Sequence, residues 1–575
     1  MPEYNSKPST VRSHAWISHW SVAGLCIVWA ALPWIDWWRP IGSGVLIALT
    51  GAAAGCVLLV RLWHGPAFRL TRVDAIAMLL WAYCALNTAW ESPGLMLAVT
   101  TSIAIYMVGR QMPEYKRTWL CTLWLAGTWQ AGAGIMQFLG WFPVENTQFP
   151  VSGTFPNPGP WGGYLALAWA AALALWLHHF FNSRTRKIVF ALTTLLLLCG
   201  LLLADSRAAW LGWLVSSGAF AVIRWHIRLR RWLPGALLAG FILSTMAYAY
   251  RPASADARLT IWKSSLLLWT ENPLTGVGTY RFPAHYMNAQ AEYLDQAHDT
   301  ERLLAADNLL AYNEPLRWLC EQGLLGTGLV VVLTLTGIRI YRHKKECDCL
   351  PAAIPLLALS TFGLFSYPSE VWPLCAWFPL LLASLLPQSE RYMPAVQVRL
   401  IPMLLCAAFA TGSAYRASRL YQADQALTAW WHTSTDKKHD DIHRYIDLIR
   451  DDPDALDFYA QMLFQNEYYD AAISEMNRLA ELRLSADLLA DLGRAYVATD
   501  RYQEAHECFA RSSRMVPRLL TPHYLTWQLL RDEGHTAQAI HTARQIIHFK
   551  PKVESHLTRA MQKEALHYLI LCHKK

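Results

Sequence analysis

The chain has 575 residues, of which 54% are hydrophobic and 16% are charged. Soluble domains usually have about 25% charged residues, so a single soluble globular domain is excluded. The net charge of +8 gives no reason to expect a nucleic-acid partner. Much of the basic excess lies in short segments between apolar runs, where membrane proteins concentrate it.

Apolar runs dominate the first 416 residues. Because crossing a bilayer takes about 20 mostly apolar residues, these runs predict an all-α, polytopic helical membrane protein of about 12–13 spans. The candidate spans lie near 15–35, 41–63, 73–90, 92–109, 118–140, 161–179, 188–205, 208–225, 232–250, 315–340, 351–367, 371–387 and 398–416. The first run lacks a small-residue cleavage site, so we expect it to be a retained span.

Basic residues alternate between loops in a way that predicts orientation. With the N-terminus inside, the inner loops carry most of the Lys and Arg, and the short outer loops carry only Arg39 and Arg207. The positive-inside rule then places Arg207, the long 251–314 loop and the C-terminal region outside. In a bacterial inner membrane, that side is the periplasm.

The last 160 residues or so have the amphipathic pattern of soluble helices. Ala471, Ala505 and Ala539 recur at intervals of 34 residues, which is the period of a tetratricopeptide repeat. We therefore predict a membrane domain at 1–416 and a tetratricopeptide-like helical domain at 417–575. Other positions that fit the repeat are Gly493, Tyr496, Phe509, Pro517 and Pro551.

The long outer loop is the main polar interruption of the apolar pattern, and it opens with an amphipathic helix. That helix is predicted to begin at Arg258 and to end at Asn272-Pro273, because proline disfavours helix in the preceding residue. We expect its apolar face to consist of Leu259, Trp262, Leu266 and Trp269.

Two outer arginines, Arg207 and Arg258, are candidates for binding an anionic, phosphorylated substrate. A guanidinium group presents a planar fork of donors that suits two phosphate oxygens. The alternatives are that Arg207 extends to the membrane interface from the end of a span, and that Arg258 is a surface charge at a helix start.

Three acidic or amide side chains are also candidates, each with a structural alternative. Asn313 precedes a predicted helix and can be a cap. Glu321 lies about two turns further along the same face, where an acid is usually paired, and Arg317 is its natural partner one turn away. Gln137 shares a helix face with Gln130 and can line a cavity or bond another helix.

The outer loop contains two histidines, His285 and His298. Either can act as a general base near neutral pH, or be an ordinary surface residue. Cys347-Asp348-Cys349 has no second cysteine pair nearby, so no zinc site is predicted.

Four segments within about 120–385 resemble the O-antigen ligase family, which includes O-antigen ligases and bacterial protein O-oligosaccharyltransferases and is related to Wzy-type polymerases. They are G-T-F-P-N-P (153–158), D-S-R-A-A-W (205–210), Arg258 with N-P-L-T-G-V-G-T-Y-R-F (272–282), and Y-N with E-Q-G-L-L-G (312–326). The resemblance implies glycan transfer from an undecaprenyl-pyrophosphate carrier to lipid A-core or a protein hydroxyl, without a metal or other cofactor. It also suggests protein partners for the repeat domain.

By the same resemblance, Arg207 and Arg258 hold the pyrophosphate and stabilise charge on the leaving group. Tyr312, Asn313 and Glu321 complete the implied catalytic set. Further substrate-binding candidates are Asn157 and Arg281, which lie in these segments, together with Gln137, His285 and His298.

One departure concerns proton transfer, because Tyr312 stands where the family has a histidine. A tyrosine, with a reference pKa near 10, is a poor base at pH 7. Either Tyr312 orients the acceptor, or Glu321, His285 or His298 takes the proton, or activity is lost. Gly159, where the family often has a second Asn, is a smaller departure. The rival functions are a Wzy-like polymerase and a non-catalytic scaffold that binds lipid-linked glycan.

Overall fold

The structure is a computed structural model that describes residues 9–34, 41–65, 68, 70–87, 92–144, 148–225, 252–344, 350–386, 399–433, 442–552 and 554–573. These residues form helices and connecting loops, with no β-strand among them. The predicted span 232–250, Arg39 and the Cys347/Cys349 pair lie outside the described residues.

The first half of the chain consists of long apolar helices. They are α1 (Ser9–Ala31), α2 (Gly42–His64), α3 (Arg72–Leu86), α4 (Pro93–Gln111), α5 (Lys116–Phe138), α6 (Pro158–Leu177), α7 (Arg184–Leu203) and α8 (Arg207–Trp225). The loop segment forms α9 (Pro252–Glu271), α10 (Phe282–Gln296) and α11 (Asp299–Leu304). Apolar helices then resume as α12 (Glu314–Lys344), α13 (Leu350–Gly363), α14 (Trp372–Cys375), α15 (Trp377–Leu385) and α16 (Leu400–Thr433).

The C-terminal region is a series of short helices. They are α17 (Ile446–Arg450), α18 (Pro453–Gln465), α19 (Tyr469–Leu482), α20 (Ala486–Ala498), α21 (Tyr502–Met515), α22 (Leu520–Asp532), α23 (Thr536–His548) and α24 (His556–His573). From α18 onwards each helix packs against the next, as helical hairpins joined by short loops do.

The predicted all-helical, polytopic membrane fold is confirmed. Six helices in the described part of the chain are long and apolar enough to cross a membrane, judged by length and composition, and three further apolar helices are shorter. The six are α2, α4, α6, α7, α12 to Ile340, and α16 to His432. The larger count of 12–13 spans stays a prediction.

The chain divides into two compact units. The first comprises Met1–Leu243, Tyr312–Pro315 and Leu325–Asp424, and the second comprises Ser244–Ala311, Leu316–Leu324 and Gln425–Lys575. The outer loop up to Ala311 therefore belongs to the same unit as the C-terminal helices. The domain boundary predicted after residue 416 lies inside the continuous helix α16 and stays a prediction.

Helix α6 is the centre of the first unit. It packs against α5, α8 and α13, and most of its residues are buried, including a run of alanines. Small side chains let helix backbones approach closely, which is how helices associate in membranes.

A buried ion pair joins α3 to α4. Arg110 Nε lies 2.5 Å from Asp74 Oδ1, and both side chains are almost fully buried. Tyr106 also donates to Asp74 Oδ1 at 2.6 Å, and Arg110 Nη1 donates to the Leu386 carbonyl at 2.8 Å. Charges at such depth are usually paired, and these contacts tie α3 and α4 to the end of α15.

The loop helices and the C-terminal helices of the second unit share one hydrophobic core. Phe282, Tyr286 and Met287 of α10 lie in a single buried cluster with α18–α22 side chains such as Leu489 and Phe509. Helix α10 packs against α19 and α21. The C-terminal helices are thus part of the structure that supports the loop.

Candidate functional site

Arg207 is the first residue of α8, directly after a tight turn from α7. Two hydrogen bonds fix this turn: Trp210 Nε1 donates to the Leu201 carbonyl at 2.8 Å, and Ala209 N donates to Ser206 Oγ at 3.4 Å. The Arg207 side chain is partly exposed. A helix N-terminus carries partial positive charge and free N–H groups, so the backbone adds to the attraction of Arg207 for an anion.

The turn before Arg207 lies against the first turns of α6. A Cβ atom at Gly162 would lie 3.0 Å from the Cβ atoms of Ala204 and Ala209 and 3.2 Å from that of Ser206. Asn157 caps the same end of α6, where its side chain accepts from Gly159 N at 2.9 Å. Asparagine is favoured at this position because its side-chain oxygen accepts a hydrogen bond from a free backbone N–H group at the start of the helix. Arg207 and Asn157 are therefore near the same end of α6.

Tyr367 connects Asn157 to Tyr312. Asn157 Nδ2 donates to the Tyr367 hydroxyl at 2.8 Å, and the Tyr367 and Tyr312 rings meet edge to face with centroids 5.4 Å apart. Next to Asn313, Glu314 accepts from Ser369 N at 3.0 Å and from Ser369 Oγ at 2.7 Å. Sequence reasoning missed Tyr367 and Ser369. They follow α13 in the segment S-Y-P-S-E, whose only local signal is that of a turn.

The side chain of Gln137 forms hydrogen bonds with the backbone of the loop that precedes Asn157. Its Oε1 accepts from Ser152 N and Gly153 N at 3.1 and 2.8 Å, and its Nε2 donates to the Gly153 carbonyl at 2.7 Å. Gln130 Oε1 accepts from Thr154 N at 3.3 Å, and its Nε2 donates to Thr154 Oγ1 at 3.0 Å. Both amide groups of Gln137 and Gln130 are thus engaged by the loop before α6, and substrate binding by Gln137 stays a prediction.

The second unit contains a close junction between the turn after α9 and a break in α12. Val277 N donates to the Cys320 carbonyl at 2.9 Å, and Gly278 N donates to the Glu321 carbonyl at 3.0 Å. Gly323 interrupts the helix at φ 60° and ψ −163°. A Cβ atom there would lie 2.3 Å from the Leu274 carbonyl oxygen, so only glycine fits.

Glu321 lies directly beside this junction and is paired. Arg317 Nε donates to Glu321 Oε1 at 2.9 Å, and both side chains are about 93% buried or more. Phe282 N points to the same carboxylate oxygen at 3.4 Å, and the Arg317 guanidinium lies over the Tyr280 ring. The ion pair with Arg317 supports a structural role for Glu321. A catalytic role for Glu321 stays a prediction.

Arg258 lies in α9, which differs from the predicted helix in two respects. It starts at Pro252 rather than at Arg258, although it ends before Asn272 as expected. The predicted apolar face is only partly covered by the protein, because Leu259 and Leu266 are 48% and 45% exposed. Trp262 Nε1 donates to the Ala311 carbonyl at 3.1 Å, which fixes α9 to the residue before Tyr312.

Arg281 lies just before the first turn of α10, and His285 lies within that turn. Burial, and then the positive charge of Arg281, lower the pKa of His285 below its usual value. Its imidazole is therefore neutral near pH 7 and can accept a proton. His298, in contrast, is exposed and precedes the short helix α11.

Three non-glycine residues at or next to candidate residues have a left-handed backbone conformation. Asp205, Tyr280 and Tyr312 have φ of 45°, 59° and 50°, and each comes one or two residues before Arg207, Arg281 or Asn313. Such conformations cost about 1–3 kcal/mol each and concentrate at functional sites.

The candidates thus form two sets, one in each unit. The first set is Asn157, Gln137, Arg207, Tyr312 and Asn313, and the second is Arg258, Arg281, His285, His298 and Glu321. Among the described residues there is no group of three or more His, Cys, Asp or Glu side chains that could hold a metal ion.

Residues 192–331 match the family model described as O-antigen ligase. The matched segment contains both candidate arginines, the loop helices and Glu321. No curated protein matches the chain. The fold is that of a multi-pass helical membrane protein. The similarity of residues 192–331 to the O-antigen ligase model supports a glycosyl-transferring activity.

Proposed function

We propose that the protein transfers a glycan from an undecaprenyl-pyrophosphate carrier to a hydroxyl group of lipid A-core or of a protein. The reaction would take place at the outer, periplasmic face of the bacterial inner membrane and would need no metal. The observation that carries the proposal is the position of Arg207, which lies within the segment that matches an O-antigen ligase. It is the first residue of α8, and the turn before it lies against the Asn157-capped end of α6.

Arg207 and Arg258 are proposed to bind the pyrophosphate. Charge builds up on the leaving pyrophosphate as the glycosidic bond breaks, so fixed donors there stabilise the transition state more than the ground state. The partial positive charge at the N-terminus of α8 adds to the attraction of Arg207 for the pyrophosphate. Asn157, Tyr312 and Asn313 would orient the acceptor.

His285 is the proposed proton acceptor in place of the family histidine. Glu321 is engaged by Arg317, and His298 is exposed. His285 is half-buried, and its pKa is lowered by burial and by Arg281, which keeps it in the form that takes a proton.

The C-terminal helices are proposed to be tetratricopeptide repeats that recruit the acceptor or a protein partner. In support, the repeat positions Gly493 and Phe509 are in contact: a Cβ atom at Gly493 would lie 2.3 Å from the Phe509 ring. Ala505 and Ala539 are fully buried, as the close helix crossing of a repeat requires, whereas Ala471, the first alanine of the series, is exposed.

The test is transfer with purified full-length protein and undecaprenyl-pyrophosphate glycan. The acceptors are lipid A-core, periplasmic proteins and none, with EDTA present throughout. Glycan on lipid A-core or on protein supports the proposal and names the acceptor. Lengthened glycan on the carrier alone means a polymerase, and donor that is bound but never consumed means a scaffold.

Arg207 variants then test the assignment of the pyrophosphate site. Arg207→Ala is expected to abolish transfer, and Arg207→Lys to recover little, because an ammonium group cannot form the two-pronged contact. The matched control is Arg184→Ala, which removes an exposed arginine from the first position of α7. Full activity in Arg207→Ala would refute this assignment.

A further inference from the structure

A pocket in the first unit lies at the other end of α6 from Arg207. Its lining comes from the starts of α5 and α13 and from the ends of α6 and α15. Helix α6 has 20 residues, which corresponds to a length of about 30 Å. Since Asn157 and the turn before Arg207 lie at the start of α6, the pocket is separate from the proposed glycan site.

The polar side chains that line the pocket can all donate hydrogen bonds. They are Lys116 at the first position of α5, Trp119 one turn later, His178 directly after α6, and Ser384 near the end of α15. Trp119 is 2% exposed, and its Nε1 atom has no hydrogen-bond partner among the described residues. No acidic side chain of the described residues lines the pocket. Because a buried N–H group without an acceptor is unfavourable, this lining suits a ligand that brings acceptors and negative charge.

The remaining walls are apolar, and the pocket is narrow. The apolar lining residues are Leu120, Ala352, Leu380 and Leu381. The pocket has about 300 Å³ of empty space including its open mouth, but its enclosed part is only about 10 Å³, which is room for one water-sized group. A ligand therefore places one polar atom inside and the rest of the molecule at the mouth, beside apolar side chains. That geometry suits an amphipathic molecule with an anionic end.

The helix ends around the pocket favour an anion. Lys116 opens α5, whose start has no side-chain cap, and a helix N-terminus carries partial positive charge. The carbonyls at the end of α6, which would repel an anion, are already bonded. Phe180 N donates to the Leu175 carbonyl at 3.1 Å, and His179 N donates to the Trp176 carbonyl at 3.0 Å, as in the turn that commonly closes a helix.

The orientation predicted from the loop charges places this end of the helices in the cytoplasmic leaflet. The neighbouring loop segments carry Arg117, Arg184, Arg186 and Lys187, as the positive-inside rule requires. Basic pockets between membrane helices on this side bind the headgroups of anionic lipids. A zwitterionic headgroup also has a phosphate, but its own cation would lie beside Lys116 and His178.

We propose that this pocket binds the phosphate group of an anionic phospholipid of the inner leaflet. Lys116 pairs with the phosphate, Trp119 Nε1 and Ser384 Oγ donate to its oxygens, and the acyl chains extend from the mouth into the bilayer. The bound lipid joins the ends of α5, α6, α13 and α15 and so stabilises the first unit. This site does not depend on glycan transfer.

Native mass spectrometry tests the site by counting bound lipid. Purified full-length protein in mild detergent is titrated with phosphatidylglycerol or with phosphatidylethanolamine. One phosphatidylglycerol is expected to be retained in preference to phosphatidylethanolamine. Lys116→Gln is expected to weaken its binding at least about fivefold, the usual contribution of one lysine near a membrane surface. The matched control is Arg117→Gln, which removes the adjacent, exposed basic residue outside the pocket and should leave binding unchanged.

Thermal unfolding provides a second measurement. Phosphatidylglycerol is expected to raise the Tm of the wild type and of Arg117→Gln, and to raise that of Lys116→Gln less. Inorganic phosphate is expected to have no such effect. Ser384→Ala removes one donor with little change in volume and should also reduce the lipid effect, so it decides the outcome if Lys116→Gln does not fold.

Four results would overturn the proposal. Equal retention of phosphatidylglycerol by the wild type, Lys116→Gln and Ser384→Ala would place the lipid elsewhere, and an equal loss in Arg117→Gln would assign binding to general surface charge. Equal retention of phosphatidylethanolamine would remove the preference for an anionic headgroup. Stabilisation by inorganic phosphate alone would assign the pocket to a soluble anion. Since none of these measurements needs turnover, their failure is distinguishable from a failure of glycan transfer.

Discussion

The side-chain amide of Gln290 in α10 donates a 2.8 Å hydrogen bond to the carbonyl oxygen of Met515 at the end of α21, 225 residues further along the chain. The same nitrogen donates to the Ala306 carbonyl at 3.0 Å, and Gln290 Oε1 accepts from the Tyr286 hydroxyl at 2.7 Å. Gln290 is 1% exposed. One buried amide thus satisfies groups of the loop and of the C-terminal helices.

Gln290→Leu is expected to loosen α10. The substitution leaves two carbonyls and one hydroxyl buried without these partners, which costs about 1–3 kcal/mol for each unsatisfied group. Hydrogen–deuterium exchange should become faster in residues 282–296. The control is Gln296→Leu at the exposed end of the same helix, and equal behaviour of the two variants would contradict the role of Gln290.

Gly323→Ala is expected to disrupt the junction between α9 and α12. A side chain at φ 60° is strained, and its Cβ atom would lie 2.3 Å from a backbone oxygen. The loss of stability should therefore exceed the roughly 1 kcal/mol by which alanine stabilises a helix position that accepts it. Gly328→Ala is the control, because nothing lies within 4 Å of a Cβ atom there. Thermal unfolding should show a lower Tm for Gly323→Ala alone.

A double-mutant cycle separates structure from catalysis at Glu321. Arg317→Met leaves a carboxylate buried without its partner and is expected to cost about 3–5 kcal/mol, whereas Arg317→Met with Glu321→Leu should recover much of that loss. Tm measures the stability part of the cycle. Transfer by the recovered double variant would show that Glu321 is structural, and a stable but inactive double variant would restore its catalytic assignment.

The pH dependence of kcat/KM tests His285. Because its pKa is lowered by burial and by Arg281, the fall in activity on acidification should lie below pH 6.5, the group's ordinary value. Arg281→Gln removes one cause of the depression, so the acid limb should move to higher pH. His285→Gln should remove most activity, while His298→Gln should leave the profile unchanged. An unmoved limb in Arg281→Gln would exclude His285 as the titrating group.

Local signals predicted the elements well. Apolar run length located the helices of the first unit, since crossing hydrocarbon fixes both length and composition. The end of α9 followed from Asn272-Pro273, because a proline restricts the residue before it. The recurrence of Ala505 and Ala539 after 34 residues predicted packed helices in the C-terminal region, although their assignment as tetratricopeptide repeats stays a prediction.

Long-range packing and the local surroundings of α9 were not predictable in this way. The pattern Leu259, Trp262, Leu266 and Trp269 predicts one apolar face, but it does not say how much of that face the protein itself covers. Likewise, nothing local to Gln290 or Met515 indicates that they meet, because the contact depends on the shape of the whole second unit. The interaction of Asn157 with Tyr367 is of the same kind.

The core shared by α10 and the C-terminal helices limits how this protein can be rearranged. A chimera that exchanges only residues 417–575 with those of a relative would pair foreign helices with the native α10 surface, and one that exchanges only the loop would do the reverse. The two segments, although separated by several apolar helices in the chain, would have to be transplanted together. Over evolutionary time, substitutions in one are therefore expected to be accompanied by compensating changes in the other.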